Sequence, residues 1–209
     1  MVQSRKAAVK PELHMISDGT QSLKRFLEIV RFAAPYVDVV HVREKERSAR
    51  EIAEWIEQLK RVIPPHKIAV NDRLDAALAG EINRVQLAWH SLPVDVVKRT
   101  FPPLTVGCSV HSPEEAVEME KRGADYVLYG HVYPTGSKPG IPARGLDGLR
   151  QTCAAVTIPV IAIGGIRPEN VADVLAAGAA GIAVMSGITQ ARDPAEAAQA
   201  YAKALNLKR

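Results

Sequence analysis

The chain has 209 residues, 47% of them hydrophobic and 24% charged, enough for one well-buried domain and short for two. No apolar run nears the roughly 20 residues that span a bilayer, the charged start MVQSRKAAVK lacks a signal-peptide core, and two cysteines make no disulfide framework, so a cytoplasmic protein without membrane partners is expected. The net charge of +4 sits at the ends: Arg5, Lys6, Lys10, Lys203, Lys208 and Arg209 have no acids beside them, and residues 11–202 carry 21 basic (27 less these six) and 23 acidic side chains, which argues against a nucleic-acid face.

Residues 1–10 read as a loose tail and 11–209 as the domain. Glu12 to Ile16 is a short apolar strand, closed by the turn Ser17-Asp18-Gly19. Leu23, Phe26, Leu27, Val30 and Ala33 then recur at helical spacing over Ser22 to Ala34. Val37 to Val42 is the second strand, Ser48 caps a helix reaching Val62, and Pro64-Pro65 stops it. Lys67 to Val70 is the third strand, followed by Asn71-Asp72 and a short helix through Leu78. Arg84 to Leu87 is the fourth, Val94 to Lys98 a helix, and Leu104 to Ser109 the fifth.

Ser112-Pro113-Glu114-Glu115 opens the next helix, with Pro at its first position and Glu115 at capping-box distance, and Gly123 ends it. Ala124 to Tyr129 is the sixth strand. A long loop from Gly130 to Arg144 precedes a helix from about Leu146 to Ala155. Val160 to Ile163 is a buried strand ended by Gly164-Gly165, Pro168 opens a helix running to Gly178, and Ile182 to Met185 is the eighth strand, closed by Ser186-Gly187. Pro194 to Leu205 is the closing helix. Eight apolar strands alternating with helices predict a single-domain (β/α)8 TIM barrel, an α/β fold.

In such a barrel the polar residues at C-terminal strand ends face the site. They are Arg43 and Lys45 after strand two, Asn71 and Asp72 after three, Ser109 and His111 after five, and His131, Thr135, Ser137 and Lys138 after six. The turns Gly164-Gly165 and Met185-Ser186-Gly187 follow strands seven and eight, where barrel loops grip phosphate through backbone N–H groups; glycines serving only tight turns are the other reading. Cations converging on such turns imply a small anionic ligand. His131, directly after a buried strand, is the best candidate for proton transfer. The other histidines rank lower, none shows metal-ligand spacing with Cys108 or Cys153, and both thiols read as small core residues.

Together, Val40-His41-Val42-Arg43-Glu44-Lys45, Val70-Asn71-Asp72-Arg73, Gly107-Cys108-Ser109-Val110-His111, the run Ala124 to Thr135 with its Tyr129-Gly130-His131, and Ala162-Ile163-Gly164-Gly165-Ile166 resemble the thiamine phosphate synthase superfamily. The resemblance runs in order from about Leu13 to Leu205. Its synthase branch joins a pyrimidine diphosphate to a thiazole phosphate with Mg2+ held by carboxylates. That branch expects Gln-Leu-Arg-x-Lys, an Asn-Asp pair and a second Asp after strand four; here the Gln position is His41 and the second acidic position is Ser91.

Gly130-His131, with Val184-Met185-Ser186-Gly187-Ile188, resembles the other branch, the thiazole tautomerases of the TenI group. That resemblance implies an isomerase that aromatises a carboxythiazole ethyl phosphate tautomer in thiamin biosynthesis, with no metal or cofactor and with His131 as acid and base. The ligand is a small phosphorylated thiazole: its phosphate falls on Gly164, Gly165, Ser186 and Gly187, with Met185 in the same binding set, and Arg43 or Lys138 pairs with its carboxylate. Lys45, Asn71 and Ser109 complete the expected binding set. Arg43, Lys45, Asn71, Asp72 and Lys138 also match synthase positions, so a thiamine phosphate synthase is the first alternative and a non-catalytic thiazole phosphate-binding or regulatory protein the second. Exposed helix faces could support a homodimer.

Overall fold

The computed structural model describes residues 10–206; the expected tail at 1–10 lies almost wholly outside them. Eight parallel strands close in sequence order into one barrel. They are β1 (Glu12–Ile16), β2 (Val39–Val42), β3 (Ile68–Asn71), β4 (Arg84–Leu87), β5 (Thr105–Val110), β6 (Tyr126–Gly130), β7 (Val160–Ile163) and β8 (Gly181–Val184). The ring shuts where β1 pairs with β8, Leu13 lying opposite Ile182 and Met15 opposite Val184.

The surrounding helices are α1 (Leu23–Ala33), α2 (Ala49–Leu59), α3 (Leu74–Ala79), α4 (Val94–Thr100), α5 (Pro113–Lys121), α6 (Gly145–Ala155), α7 (Val171–Ala176), α8 (Ser186–Thr189) and α9 (Pro194–Ala204). Their starts follow the side chains expected to cap them. Ser22 accepts from Arg25 N, and Ser48 and Glu51 form a full capping box. At α5 the box is only half made: Ser112 Oγ accepts from Glu115 N, but the Glu115 carboxylate turns back to the N–H of His111 at 2.7 Å.

Most of the core lies between barrel and helices, where outward residues such as Leu13, Met15, Val40 and Val70 meet Phe26, Ile56 and Leu149. A smaller apolar cluster, Ile16, Tyr126, Leu128, Ile161 and Ala183, fills the inside of the barrel along β1 and β6–β8. The rest of the interior is polar: His14, His41 and Gln86 are all buried there. Side chains alternate across each strand, so His14 and Ile16 face in while Leu13 and Met15 face out.

Several elements depart from the sequence reading: the helix expected to reach Val62 ends at Leu59, and the sixth strand begins at Tyr126 rather than Ala124. The second strand begins at Val39, because Asp38 is held by its backbone to Leu13 O and by its carboxylate to Leu13 N. The helix expected from Pro168 starts as a 3-10 turn, Pro168–Asn170, before α7. Ser186-Gly187 is not a plain turn but opens the four-residue α8, too short for any periodicity to reveal.

Candidate active site

The C-terminal ends of the strands open onto a cavity of about 540 Å³. Arg43, Lys45, Asn71, Ser109, His131 and Lys138 all stand in its wall, as do Gly164, Gly165, Met185, Ser186 and Gly187. Sequence reasoning thus brought together residues spread over 145 positions of chain, from 43 to 187. Asp72, His111, Thr135 and Ser137 line it too.

His131 is built into this wall from several sides. The residue is 3% exposed, and its Nε2 lies 3.1 Å from the carbonyl oxygen of Ile141. A carbonyl only accepts, so Nε2 carries a proton here, and in the neutral ring Nδ1 is the nitrogen with the lone pair. That Nδ1 is buried and has no hydrogen-bond partner among the described residues. The loop that supplies Ile141 is closed at its base: Arg144 Nε donates to Gly130 O at 3.1 Å, and Arg144 N and Gly145 N donate to the carbonyls of His131 and Val132.

Gly164 makes the histidine's position available. It holds φ +100°, and a Cβ there would collide with the Cβ and Cα of His131. Gly165 follows at φ +64°, so the chain turns through two consecutive left-handed residues that glycine alone adopts without strain. After the neighbouring strand β8, α8 is tied down by Asp18, whose carboxylate accepts from Thr189 Oγ at 2.8 Å and Gln190 Nε2 at 3.0 Å. Burial works to raise the Asp18 pKa, but hydrogen bonds from Thr20, Gln21 and Thr189 outweigh it and hold the carboxyl well below the usual range.

The cationic side is formed by Arg43, Lys45 and Lys138, none of which has an ion-pair partner among the described residues. Arg43 is placed by its own N–H, which donates to the buried Ser17 hydroxyl at 2.8 Å. The two acids in the wall are both engaged. Glu44 is buried against Arg47, and Asp72 accepts from Ser91 Oγ at 2.6 Å and lies 3.3 Å from His90 Nε2.

That arrangement bears on Mg2+. A hard dication needs several oxygen ligands with offsetting charge, and where the synthase pattern expects a second carboxylate this chain places the Ser91 hydroxyl, already donating to Asp72. Among the described residues no group of three or more His, Cys, Asp or Glu is arranged to hold a metal. This donor set does not fit a two-carboxylate Mg2+ site.

Sequence reasoning missed several wall residues. Gln86 points inward from β4 with Nε2 3.1 Å from Ser109 Oγ, a placement that strand alternation could have found. Tyr201 of α9 donates to Ile166 O at 3.0 Å and approaches Gly187 too closely for any Cβ there; nothing in the sequence pairs those positions. Trp89 stands on the rim 91% exposed. His41, ranked low for chemistry, lies buried under Asn71 with Nδ1 2.9 Å from its Oδ1.

The family model described as thiamine monophosphate synthase matches residues 13–188. A thiamine-phosphate synthase of Pyrococcus abyssi is 39% identical over 197 residues, covering 93% of this chain and 94% of the relative. One from Moorella thermoacetica is 43% identical over 180 residues, covering 83% and 85%. The solved thiamine phosphate pyrophosphorylase of Pyrococcus furiosus superposes with a TM-score of 0.83 at 35% identity, over 95% of this chain and 97% of that one. A 3-hexulose-6-phosphate synthase structure at 22% identity and TM-score 0.74 shares the fold alone. These relatives carry the synthase name, which speaks for the first alternative of the sequence reading rather than for an isomerase. With the model matched from 13 to 188 and relatives aligned along nearly its whole length, the chain belongs to the thiamine monophosphate synthase family of thiamine biosynthesis.

Proposed function

We propose that this chain is a thiazole tautomerase: it aromatises the carboxythiazole ethyl phosphate tautomer by moving one proton from ring C2 to the exocyclic carbon. The observation that carries this reading is the state of His131. Its Nε2 faces the Ile141 carbonyl, and its Nδ1 is sheltered and has no hydrogen-bond partner among the described residues. A neutral imidazole so oriented takes the C2 proton at Nδ1 and returns it to the exocyclic carbon, with no net change in the enzyme. Because Nδ1 is shielded, ligand reaches it only if the ring or the Ile141 segment shifts.

The phosphate is assigned to Gly164, Gly165, Ser186 and Gly187, with Met185 beside them. Left-handed glycines and the first residues of a helix turn N–H groups outward, which supports the assignment. Arg43 or Lys138 takes the ring carboxylate, and their lack of ion-pair partners leaves both cations available.

The names of the relatives favour a second reading, a transferase that couples a pyrimidine diphosphate to the thiazole phosphate. Against it stands the Asp72–Ser91 pair where that branch expects two carboxylates. Proton NMR of the non-aromatic tautomer, with and without enzyme, separates the two when run beside an assay of Mg2+-dependent pyrophosphate release. Accelerated aromatisation lost in His131→Asn supports the tautomerase; pyrophosphate release without it supports the synthase.

A further inference from the structure

A line of hydrogen bonds crosses the barrel interior from its far rim to the cavity. Glu12 Oε2 meets His14 Nε2 at 2.9 Å, His14 Nδ1 meets His41 Nε2 at 2.9 Å, and His41 Nδ1 meets the Asn71 amide at 2.9 Å. Both imidazoles are fully buried, Asn71 lines the cavity, and Glu12 is partly exposed at the opposite end. Every ring nitrogen is used, so the proton positions along the line are interlocked.

Glu12 sets the direction. As a carboxylate it only accepts, so His14 Nε2 carries a proton. If His14 is neutral its Nδ1 is bare, His41 must donate from Nε2, and a neutral His41 then presents a bare Nδ1. A bare nitrogen requires a donor, yet the structure places Asn71 Oδ1, an acceptor, against it. The two ends of an amide are nearly the same shape, so turning it over leaves the packing intact and satisfies the line. One extra proton on the line would do the reverse: His14 would donate from both nitrogens, His41 from Nδ1, and Asn71 would accept.

We propose that Glu12, His14 and His41 are positioning residues that hold the Asn71 amide with its NH2 on His41 Nδ1 and its carbonyl oxygen toward the cavity, so that the site offers an acceptor there to a donor-bearing edge of its ligand. The proposal rests on the cavity being the ligand site, whichever of the two reactions it runs. Burial disfavours charge on both rings, and the His14 hydrogen bond, with Arg84 Nη1 3.8 Å from Glu12, keeps Glu12 ionised. The other groups packed on the line are Tyr126, edge-on to His14 at 5.9 Å between centroids, and Asp38, whose charge acts on His14.

The test is two-bond proton–nitrogen NMR on the full chain with 15N-labelled histidine, which reports the protonation of each ring nitrogen and needs no substrate. The expected spectrum shows His14 and His41 both as neutral rings protonated at Nε2, with the deshielded signal of a bare nitrogen at Nδ1. A proton on His41 Nδ1, or an imidazolium at either position, would overturn the proposal. In Asn71→Asp, position 71 can no longer donate, so the line is expected to take up one proton and His41 to become protonated at Nδ1; a His41 still bare at Nδ1 in the folded variant would also overturn it. The parent spectrum decides the question should that variant not fold. A protein inactive as a tautomerase would give the same spectrum, so the two readings fail separately.

Discussion

Gly164→Ala is expected to damage both stability and activity, and the structure separates the two reasons. The residue holds φ +100°, and its new Cβ would meet the Cβ and Cα of His131, the root of a buried side chain rather than a flexible tip. The left-handed backbone costs about 1–3 kcal/mol, and forcing a methyl into packed structure costs about 1–3 kcal/mol more. Together these are roughly 2–6 kcal/mol, and at ~2–4 °C per kcal/mol for a domain of this size the melting temperature falls on the order of 5–20 °C. Two glycines serve as controls. Gly19 holds φ +80° with open space around it, so Gly19→Ala carries the backbone cost alone; Gly136 has neither the φ nor the neighbours, so Gly136→Ala is neutral or stabilising by up to about 1 kcal/mol. Differential scanning calorimetry of the three variants should rank them Gly164, Gly19, Gly136 from most to least destabilised. A Gly164→Ala melting point equal to that of Gly19→Ala would refute the claimed contact with His131.

His131→Asn should lower tautomerisation by roughly 100- to 10,000-fold while moving the melting temperature far less than Gly164→Ala, measured by NMR turnover and calorimetry on one preparation. Ser48→Ala removes the capping box that starts α2 and should cost about 1 kcal/mol in urea unfolding with no change in turnover. Asp18→Asn should destabilise at neutral pH, because a carboxylate with a depressed folded pKa contributes its stability above the unfolded value and loses it as pH falls toward the folded one. The gap between parent and variant melting temperatures should therefore begin to narrow below about pH 4 and keep narrowing as pH falls; a constant gap down to pH 2 would contradict the hydrogen bonding assigned to Asp18.

The barrel was legible because its strands are short apolar runs ended by polar or glycine punctuation. Ile163 before Gly164-Gly165 and Leu87 after Arg84 mark ends that a 2.0 or 3.6 periodicity alone would blur. The strand-end rule then collected the cavity wall, because every strand of a parallel barrel points its C-terminus to the same face. What stayed hidden depends on contacts between elements. Nothing local says that Tyr201 reaches Gly187, that the Ile141 carbonyl fixes the tautomer of His131, or that His14 and His41 stand end to end; each requires the register of separate strands and loops. α8 escaped because four residues offer no period, and the half-made box at Ser112 escaped because Glu115 had a competing donor in the His111 N–H.

The central claim is that His131 moves a proton on a phosphorylated thiazole, and proton NMR of the non-aromatic carboxythiazole phosphate tautomer tests it most directly. The account predicts faster aromatisation with the parent than in buffer, without added Mg2+, and no acceleration with His131→Asn. An unaccelerated parent, or a His131→Asn variant as fast as the parent, would contradict it.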